Sequence, residues 1–435
     1  MVGKSLIYLG SNILNALIPL ALLPILTRVL TVAEYGQVGL FQTLATAFAG
    51  VVGLSAAGAA GRRYFDEIEG DQELATYMGS ALQVLLASFV PILLATLIFS
   101  PLISKQLEIP AWWVIAATVV PACNVVIQLR LVQWQVRGAA RSYGMLQVAY
   151  SAVNFALSLL LVIALQLGGT GRVIAQIVAG LAVATFAIFL LRRAGLLSFL
   201  TWKPDEIRQI LHFGLPLVPH TLGLFLLVYA DRMIVADRLG LEAAGMYIAA
   251  MQLVAGAGLV FDAINKAFVP WLYERLARDR QDEKRQIVRF TYGWYAVIGL
   301  GIAVGFLVGP PLFVLIAGAH YSPAAQAIGW LALGQGLSGM YLMVTNYVFY
   351  SRRTGILAVT TMLSAAVGLG ALFALIEPYG LLGAAYAYCI GMGTRFVLTW
   401  IAAQLRHPMP WLSSLAWKRA AASAGTDAPQ PPETL

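Results

Sequence analysis

Residues Phe213–Ala249 read FGLPLVPHTLGLFLLVYADRMIVADRLGLEAAGMYIA, and this stretch decides the fold. Its first part is apolar for long enough to cross a bilayer, because about 20 residues rising 1.5 Å each cover a hydrocarbon core of roughly 30 Å. Pro216 and Pro219 fall in its opening turns, where each removes a backbone donor and bends the helix. The span ends at the acid–base pair Asp231 and Arg232. A short polar turn follows, and Gly245 and Tyr247 open the next apolar span.

The same grammar recurs near the N-terminus. Leu6 to Leu30 is an apolar span carrying Pro19 and Pro24, and Leu30, Glu34 and Gly36 lead into a second span. Setting Gly36 on Gly245 also sets Leu30 on Leu239, an offset close to half the chain. Two similar halves, each opening with a proline-bent apolar span, are the pattern of transporters built from internal repeats. The four prolines are therefore candidate hinges.

Composition settles the solvent. The chain has 435 residues, 60% hydrophobic and 11% charged, with a mean hydropathy of +0.79. Globular domains in water carry about 25% charged residues, so the surface here is expected to face lipid. Twelve apolar spans are read at 6–30, 36–59, 76–99, 111–131, 143–166, 172–191, 213–236, 243–270, 290–317, 324–350, 355–376 and 380–403. The expected class is an all-α integral membrane protein. Lys4 precedes an apolar span with no small-residue cleavage pattern, so that span is expected to stay as the first helix rather than act as a signal peptide.

Basic residues give the orientation, because short loops rich in Lys and Arg remain cytoplasmic. Most of the 28 fall on one face, around Arg62 and Arg63, Arg137 and Arg141, Arg192 and Arg193, the Arg275–Arg289 run, and Arg352 and Arg353. The opposite face receives only Arg28, Lys105, Arg172, Arg232 and Arg238. Both termini are then expected inside. The implied organisation is an N-terminal lobe at 1–194, a cytoplasmic linker with an interfacial helix at 195–212, a C-terminal lobe at 213–405, and a partly disordered tail at 406–435. The linker helix is expected to start at Pro204 and to show Ile207, Ile210 and Leu211 on one face. The net charge of +8 is assigned to the membrane surface, not to nucleic acid.

Polar groups inside spans are costly and tend to face a cavity or one another. Asp262 and Lys266 are i,i+4 with the acid first, the favourable order for a helical ion pair. They read either as a structural pair, Lys266 snorkelling to headgroups, or as part of a site. Arg395, mid-span in YAYCIGMGTRFVLTW, reads either as a helix-clamping partner of Asp262 or as a fork of donors for a phosphate. Gln252 and Asn265 share the eighth span with that pair. Asn12, Asn15, Gln42, Asn154, His220, Gln335 and Tyr341 are neutral candidates for a sugar-compatible lumen, though each alone suits an interhelical hydrogen bond. Arg62 and Arg63 are boundary anchors or guides for an anionic headgroup.

Cys123 and Cys389 lie far apart in apolar spans, and the four histidines show no ligand spacing, so no metal or cofactor is expected. No GxSxG, HExxH or P-loop motif occurs.

Taken with LTRVLTVAEYGQVGLFQT at Leu26–Thr43 and KAFVPWLYE at Lys266–Glu274, the opening stretch resembles the Wzx-type oligosaccharide flippases of the MOP superfamily. That resemblance implies two parallel six-helix lobes in a MATE-like V around a cationic cavity. It implies a cargo too: an oligosaccharide repeat unit on undecaprenyl pyrophosphate, moved to the outer leaflet of a bacterial inner membrane for O-antigen, capsule or exopolysaccharide synthesis. A polysaccharide polymerase and a chain-length regulator are the partners it suggests. Two transporters compete with this reading. A MATE-type cation-coupled drug exporter needs embedded carboxylates, which the first lobe lacks mid-span. A lipid II flippase is expected to have fourteen spans. A membrane polymerase or ligase would need a large outer loop, and none is present.

Overall fold

The computed structural model describes residues 2–65, 70–351 and 355–411, with the side chains of residues 2–9, 12, 13 and 16 outside that description. Arg352, Arg353 and the tail beyond Trp411 lie outside the described residues. Among the described residues every regular element is helical and none is a strand. Lipid allows this, because a helix satisfies its own backbone polar groups.

In chain order the helices are α1 (Val2–Val29), α2 (Val32–Ala49), α3 (Ala56–Arg63), α4 (Asp71–Leu107), α5 (Ala111–Val136), α6 (Ala140–Leu159), α7 (Gly168–Arg193), α8 (Pro204–Gly214), α9 (Val218–Val228), α10 (Ala230–Arg278), α11 (Gln281–Leu307), α12 (Gly309–Ala317), α13 (Ile328–Tyr350) and α14 (Gly355–Arg406). A capping box starts α2. Thr31 Oγ1 accepts from the Glu34 amide at 3.1 Å, while the Glu34 carboxylate accepts from the Thr31 amide at 2.9 Å.

Eight helical stretches among the described residues are long and apolar enough to cross a membrane. Two of these are hairpins. Asp231 and Tyr247 would lie about 24 Å apart on one straight helix, yet the Tyr247 hydroxyl donates to Asp231 Oδ2 at 2.6 Å. The reversal is at Gly240, whose φ of 86° only glycine adopts without strain. In α14 the reversal is at Gly380, with φ 54°. There a Cβ built on Gly368 would lie 3.2 Å from the Gly391 Cα, so the two arms pack glycine on glycine. The arms are called α10a (230–239) and α10b (241–278), and α14a (355–379) and α14b (381–406).

Two bundles form a V. Residues of α3, α4, α5, α6, α7 and α8 build one core around Met78, Leu129 and Leu191. Residues of α10b, α11, α13 and α14 build a second around Leu272, Val288 and Tyr347. A third core contains residues from both bundles and joins them at the opposite end, around Leu40, Trp113, Tyr247, Phe313 and Tyr321. The V is therefore closed at the end holding Gly36 and Gly245, and split at the end holding Arg63 and Arg278.

The linker helix begins at Pro204 as its composition predicts. Its apolar face packs onto the first bundle, with Ile210 fully buried and Ile207 and Leu211 beside it. Glu206 pins it there by accepting from Thr76 Oγ1 at 2.9 Å and Ser80 Oγ at 2.7 Å. Pro216 and Pro219 sit where α8 gives way, through a 3-10 turn, to α9. Gly214 at that break touches the break between α2 and α3, where a Cβ would sit 1.9 Å from the Leu54 carbonyl oxygen. By contrast, α1 runs unbroken through Pro19 and Pro24.

Candidate functional site

A cavity of about 530 Å³ occupies the fork of the V. Side chains of α1, α2, α5, α6 and α7 face it from one bundle, and those of α9, α10, α13 and α14 from the other. Its lining holds two cations, Arg172 and Arg232, and six amides, Gln42, Asn124, Asn154, Gln176, Gln252 and Gln335. Tyr35, Tyr229, Tyr388, Thr43 and Thr46 add hydroxyls. None of the described lining residues is a carboxylate.

Local folding places Arg172. The last turn of α6 widens into a π-helical turn at Leu160–Ala164, a distortion frequent at functional sites. Gly171 lets α7 start against that turn, since a Cβ there would lie 2.9 Å from the Leu161 carbonyl. Arg172 follows, buried, and its Nη1 donates to Asn154 Oδ1 at 2.8 Å and Ser158 Oγ at 3.1 Å. Its Nε is buried without a hydrogen-bond partner. No described carboxylate pairs with it. A buried guanidinium held only by neutral groups costs stability. That cost is explained if the charge is kept for an incoming anion.

Arg232 faces the same cavity from α10a. It lies 4.7 Å from the centre of the Tyr229 ring, donates to the Val228 carbonyl, and reaches Asp231 Oδ1 at 3.3 Å. Asp231 sits behind it, away from the cavity, in a small pocket lined by Leu226, Leu372, Ala384 and Tyr388. Both side chains are nearly buried, at 12% and 13% exposure.

Amides tie the walls together. The Tyr35 hydroxyl donates to Gln252 Oε1 at 2.8 Å, and Gln252 Nε2 donates to the Pro19 carbonyl at 2.5 Å, which links α2, α10b and α1. Tyr388 donates to Gln335 Oε1 at 3.0 Å, linking α14b and α13. Gln42 is exposed to the lumen.

Of the residues expected to form the site, Gln42, Asn154, Gln252, Gln335 and Pro19 line this cavity. The others lie elsewhere. Asp262 and Lys266 pair with each other at 2.6 Å, both more than half exposed. Asn265 accepts from Asn346 Nδ2 at 2.7 Å, and Asn15 accepts from Ser151 Oγ. Arg395 is buried on the Tyr341 ring, 3.8 Å from its centre, and is not partnered with Asp262. His220 is half-buried on α9. Arg63 pairs with Glu73, while Arg62 is exposed at the same helix end. The Asn12 side chain lies outside the described residues.

Sequence reasoning missed Arg172 and Arg232, which it counted only with the sparsely basic face. That face held the signal: cations placed against the positive-inside bias need another reason to be there. Asp231, which the sequence shows only as half of a pair ending a span, is nearly buried, whereas Asp262 is more than half exposed.

Comparison with known proteins agrees with this architecture. Residues 1–276 match the family model described as "Polysaccharide biosynthesis protein". Protein 1 of the Lsg locus of Haemophilus influenzae is 26% identical over 378 residues, covering 85% of this chain and 90% of that protein. Among solved structures, an inward-facing multidrug resistance MATE family transporter of the MOP superfamily superposes with a TM-score of 0.67 at 15% identity, covering 96% of each chain. The lipid II flippase MurJ, inward closed, gives 0.62 at 12% identity over 99% of this chain and 94% of its own. At these identities the two structural likenesses concern the fold.

Proposed function

The chain belongs to the polysaccharide biosynthesis protein family, and from that premise we propose that it is a flippase for an oligosaccharide repeat unit carried on undecaprenyl pyrophosphate. The cargo moves from the cytoplasmic to the outer leaflet of a bacterial inner membrane. One observation carries this reading. Two arginines from opposite bundles face a single cavity whose described lining is rich in amides and free of carboxylates.

The chemistry of the cargo asks for that lining. A diphosphate diester brings about two negative charges, and a charge leaving water needs a partner. Arg172 and Arg232 supply one each, as planar forks matched to phosphate oxygens. Gln42, Asn154, Gln252 and Gln335 offer both donors and acceptors to sugar hydroxyls. The polyprenyl tail stays in lipid beside the V.

With α1 and the α2–α3 pair each crossing once, and each of the two hairpins crossing twice, the chain crosses the membrane twelve times with both termini cytoplasmic. The split end of the V carries Arg63, Arg137, Arg193 and Arg278, which makes it the cytoplasmic end. The cavity is then open inward and sealed outward.

A cation-coupled drug exporter fits this lining less well, because two guanidinium groups repel a cationic drug. A lipid II carrier shares the diphosphate, so the sugar alone separates the two cargoes.

Reconstitution into liposomes tests the proposal. Wild-type protein should expose a prenyl-diphosphate oligosaccharide to a lectin in the opposite leaflet, and Arg172→Ala should abolish that exposure. Transport of lipophilic cations without any movement of the lipid-linked sugar would reject it.

A further inference from the structure

The pairing of charges in the cavity is unequal. Arg172 has neutral partners only, whereas Arg232 is balanced by Asp231. At rest the three groups sum to one positive charge. A diphosphate diester brings two negative charges, so full compensation in a water-poor cavity needs one more positive charge.

We propose that Asp231 is a proton-binding site linked to anion binding at Arg232, so that each diphosphate cargo enters together with one proton. The inference rests on the flippase reading above. Arg232 stands between the cavity and Asp231, with its guanidinium on the cavity wall and the carboxylate in the pocket behind it. When phosphate oxygens draw Arg232 forward, Asp231 loses its charged partner in a buried place. An unpaired buried carboxylate is costly and becomes neutral instead. The step is balanced: a hydronium ion in the water of the open end loses one O–H bond, Asp231 gains one, and the net charge of the three groups rises from one positive to two.

The groups around Asp231 favour a proton over a metal cation. On its own helix the charged neighbour is Arg232, and from α10b Tyr247 donates to Oδ2 at 2.6 Å. From α14b Tyr388 faces the same pocket, while α14a presents Ala365, Gly368 and Leu369. Apart from two phenols, this wall has no side-chain oxygen to complete the coordination shell of a metal ion, which requires several oxygens. A carboxylic acid needs no more than the Tyr247 phenol already there.

The test is titration calorimetry of the full chain in lipid nanodiscs, in buffers of different ionisation enthalpy. The probe is farnesyl-diphosphoryl-N-acetylglucosamine, a diester that keeps both charges between pH 6 and 8.5. Wild type should take up close to one proton per ligand at the alkaline end, and its Kd should rise about tenfold per pH unit there, the slope for one linked proton. Asp231→Asn should bind with no uptake and a flat pH profile. Asp231→Asn combined with Arg232→Gln leaves neither charge unpaired and should also take up none, which guards against misfolding of the single variant. Wild-type binding without proton uptake overturns this inference and leaves the flippase reading standing, as does uptake that survives in both variants. Failure of the wild type to bind the probe overturns the flippase reading itself.

Discussion

Gly36 and Gly245 occupy matching places in the two halves of the sequence, and in the fold they touch each other. A Cβ on Gly36 would lie 2.4 Å from the Leu241 carbonyl oxygen and 3.0 Å from the Gly245 nitrogen. A Cβ on Gly245 would lie 2.1 Å from the Val32 carbonyl oxygen. Their contact lies at the seal of the V. The two glycines let α2 and α10b approach closely enough to shut the end above the cavity.

Filling this contact should open the seal. Gly36→Val forces a side chain into backbone atoms, and overpacking of this kind costs about 1–3 kcal/mol. The cost falls on the closed state alone, so the population should shift roughly 5- to 150-fold toward the opposite opening. A cysteine placed at Val38, which is buried on the cavity wall, should become reactive to an impermeant maleimide from that side. An unchanged labelling rate in folded Gly36→Val protein would show that the contact is not the seal.

The buried arginine of α7 supports a second prediction. Arg172→Ala should lower lipid-linked sugar export at least tenfold without loss of folded protein, because the charge it removes opposes the native packing. Arg172→Lys keeps the charge but loses the two-pronged geometry and should retain partial export. Ser158→Ala removes the weaker of its two anchors, at 3.1 Å against 2.8 Å for Asn154, and should cost threefold or less. Quantitative export assays with expression controls read all three. Should Arg172→Ala export at the wild-type rate, the phosphate role of this side chain is wrong.

Much of the architecture was legible because lipid imposes long apolar runs that composition alone reveals. The turn at Gly240 falls between the apolar spans read at 213–236 and 243–270, and that at Gly380 falls on the first residue of the span read at 380–403. The site was less legible, for two physical reasons. Mid-span charges draw attention, yet Lys266 is met by Asp262 one turn away and Arg395 by an aromatic face, so neither needs a ligand to explain it. Arg172 and Arg232 sit at span ends beside turns, where a sequence shows only loop character. Their burial comes from the π-helical turn of α6 and the hairpin of α10, which are tertiary features with no local signature. Gln42, Asn154, Gln252 and Gln335, each a lone amide among apolar neighbours and so a lumen candidate in the sequence, do line the cavity.

The Asp262–Lys266 pair should matter little to the fold. Both side chains are more than half exposed, and exposed i,i+4 pairs contribute well under about 1 kcal/mol. The swap Asp262→Lys with Lys266→Asp reverses the favourable order on the helix, a change of a few tenths of a kcal/mol. Thermal unfolding in detergent should therefore shift by no more than a few degrees, and export should be preserved. A swapped protein that folds but does not export would assign the pair a part in transport.

Arg395 and Tyr341 provide the last test. A guanidinium 3.8 Å from the centre of a tyrosine ring gains roughly 2 kcal/mol when shielded from water. Tyr341→Phe keeps the π-face and loses only the hydroxyl that accepts from Thr345 at 3.3 Å, so it should unfold within a few degrees of wild type. Tyr341→Leu removes the ring and leaves a buried cation with nothing beneath it, and its unfolding temperature should fall clearly further. Arg395→Met in the Leu background removes that stranded charge and should recover most of the loss, because a buried charge without its partner costs more than an apolar replacement. Diphosphate affinity should be unchanged throughout, since neither residue lines the cavity. If the Leu variant kept wild-type stability but lost affinity for the prenyl-diphosphate probe, Arg395 would belong to the binding site and the cavity would extend further along α14b.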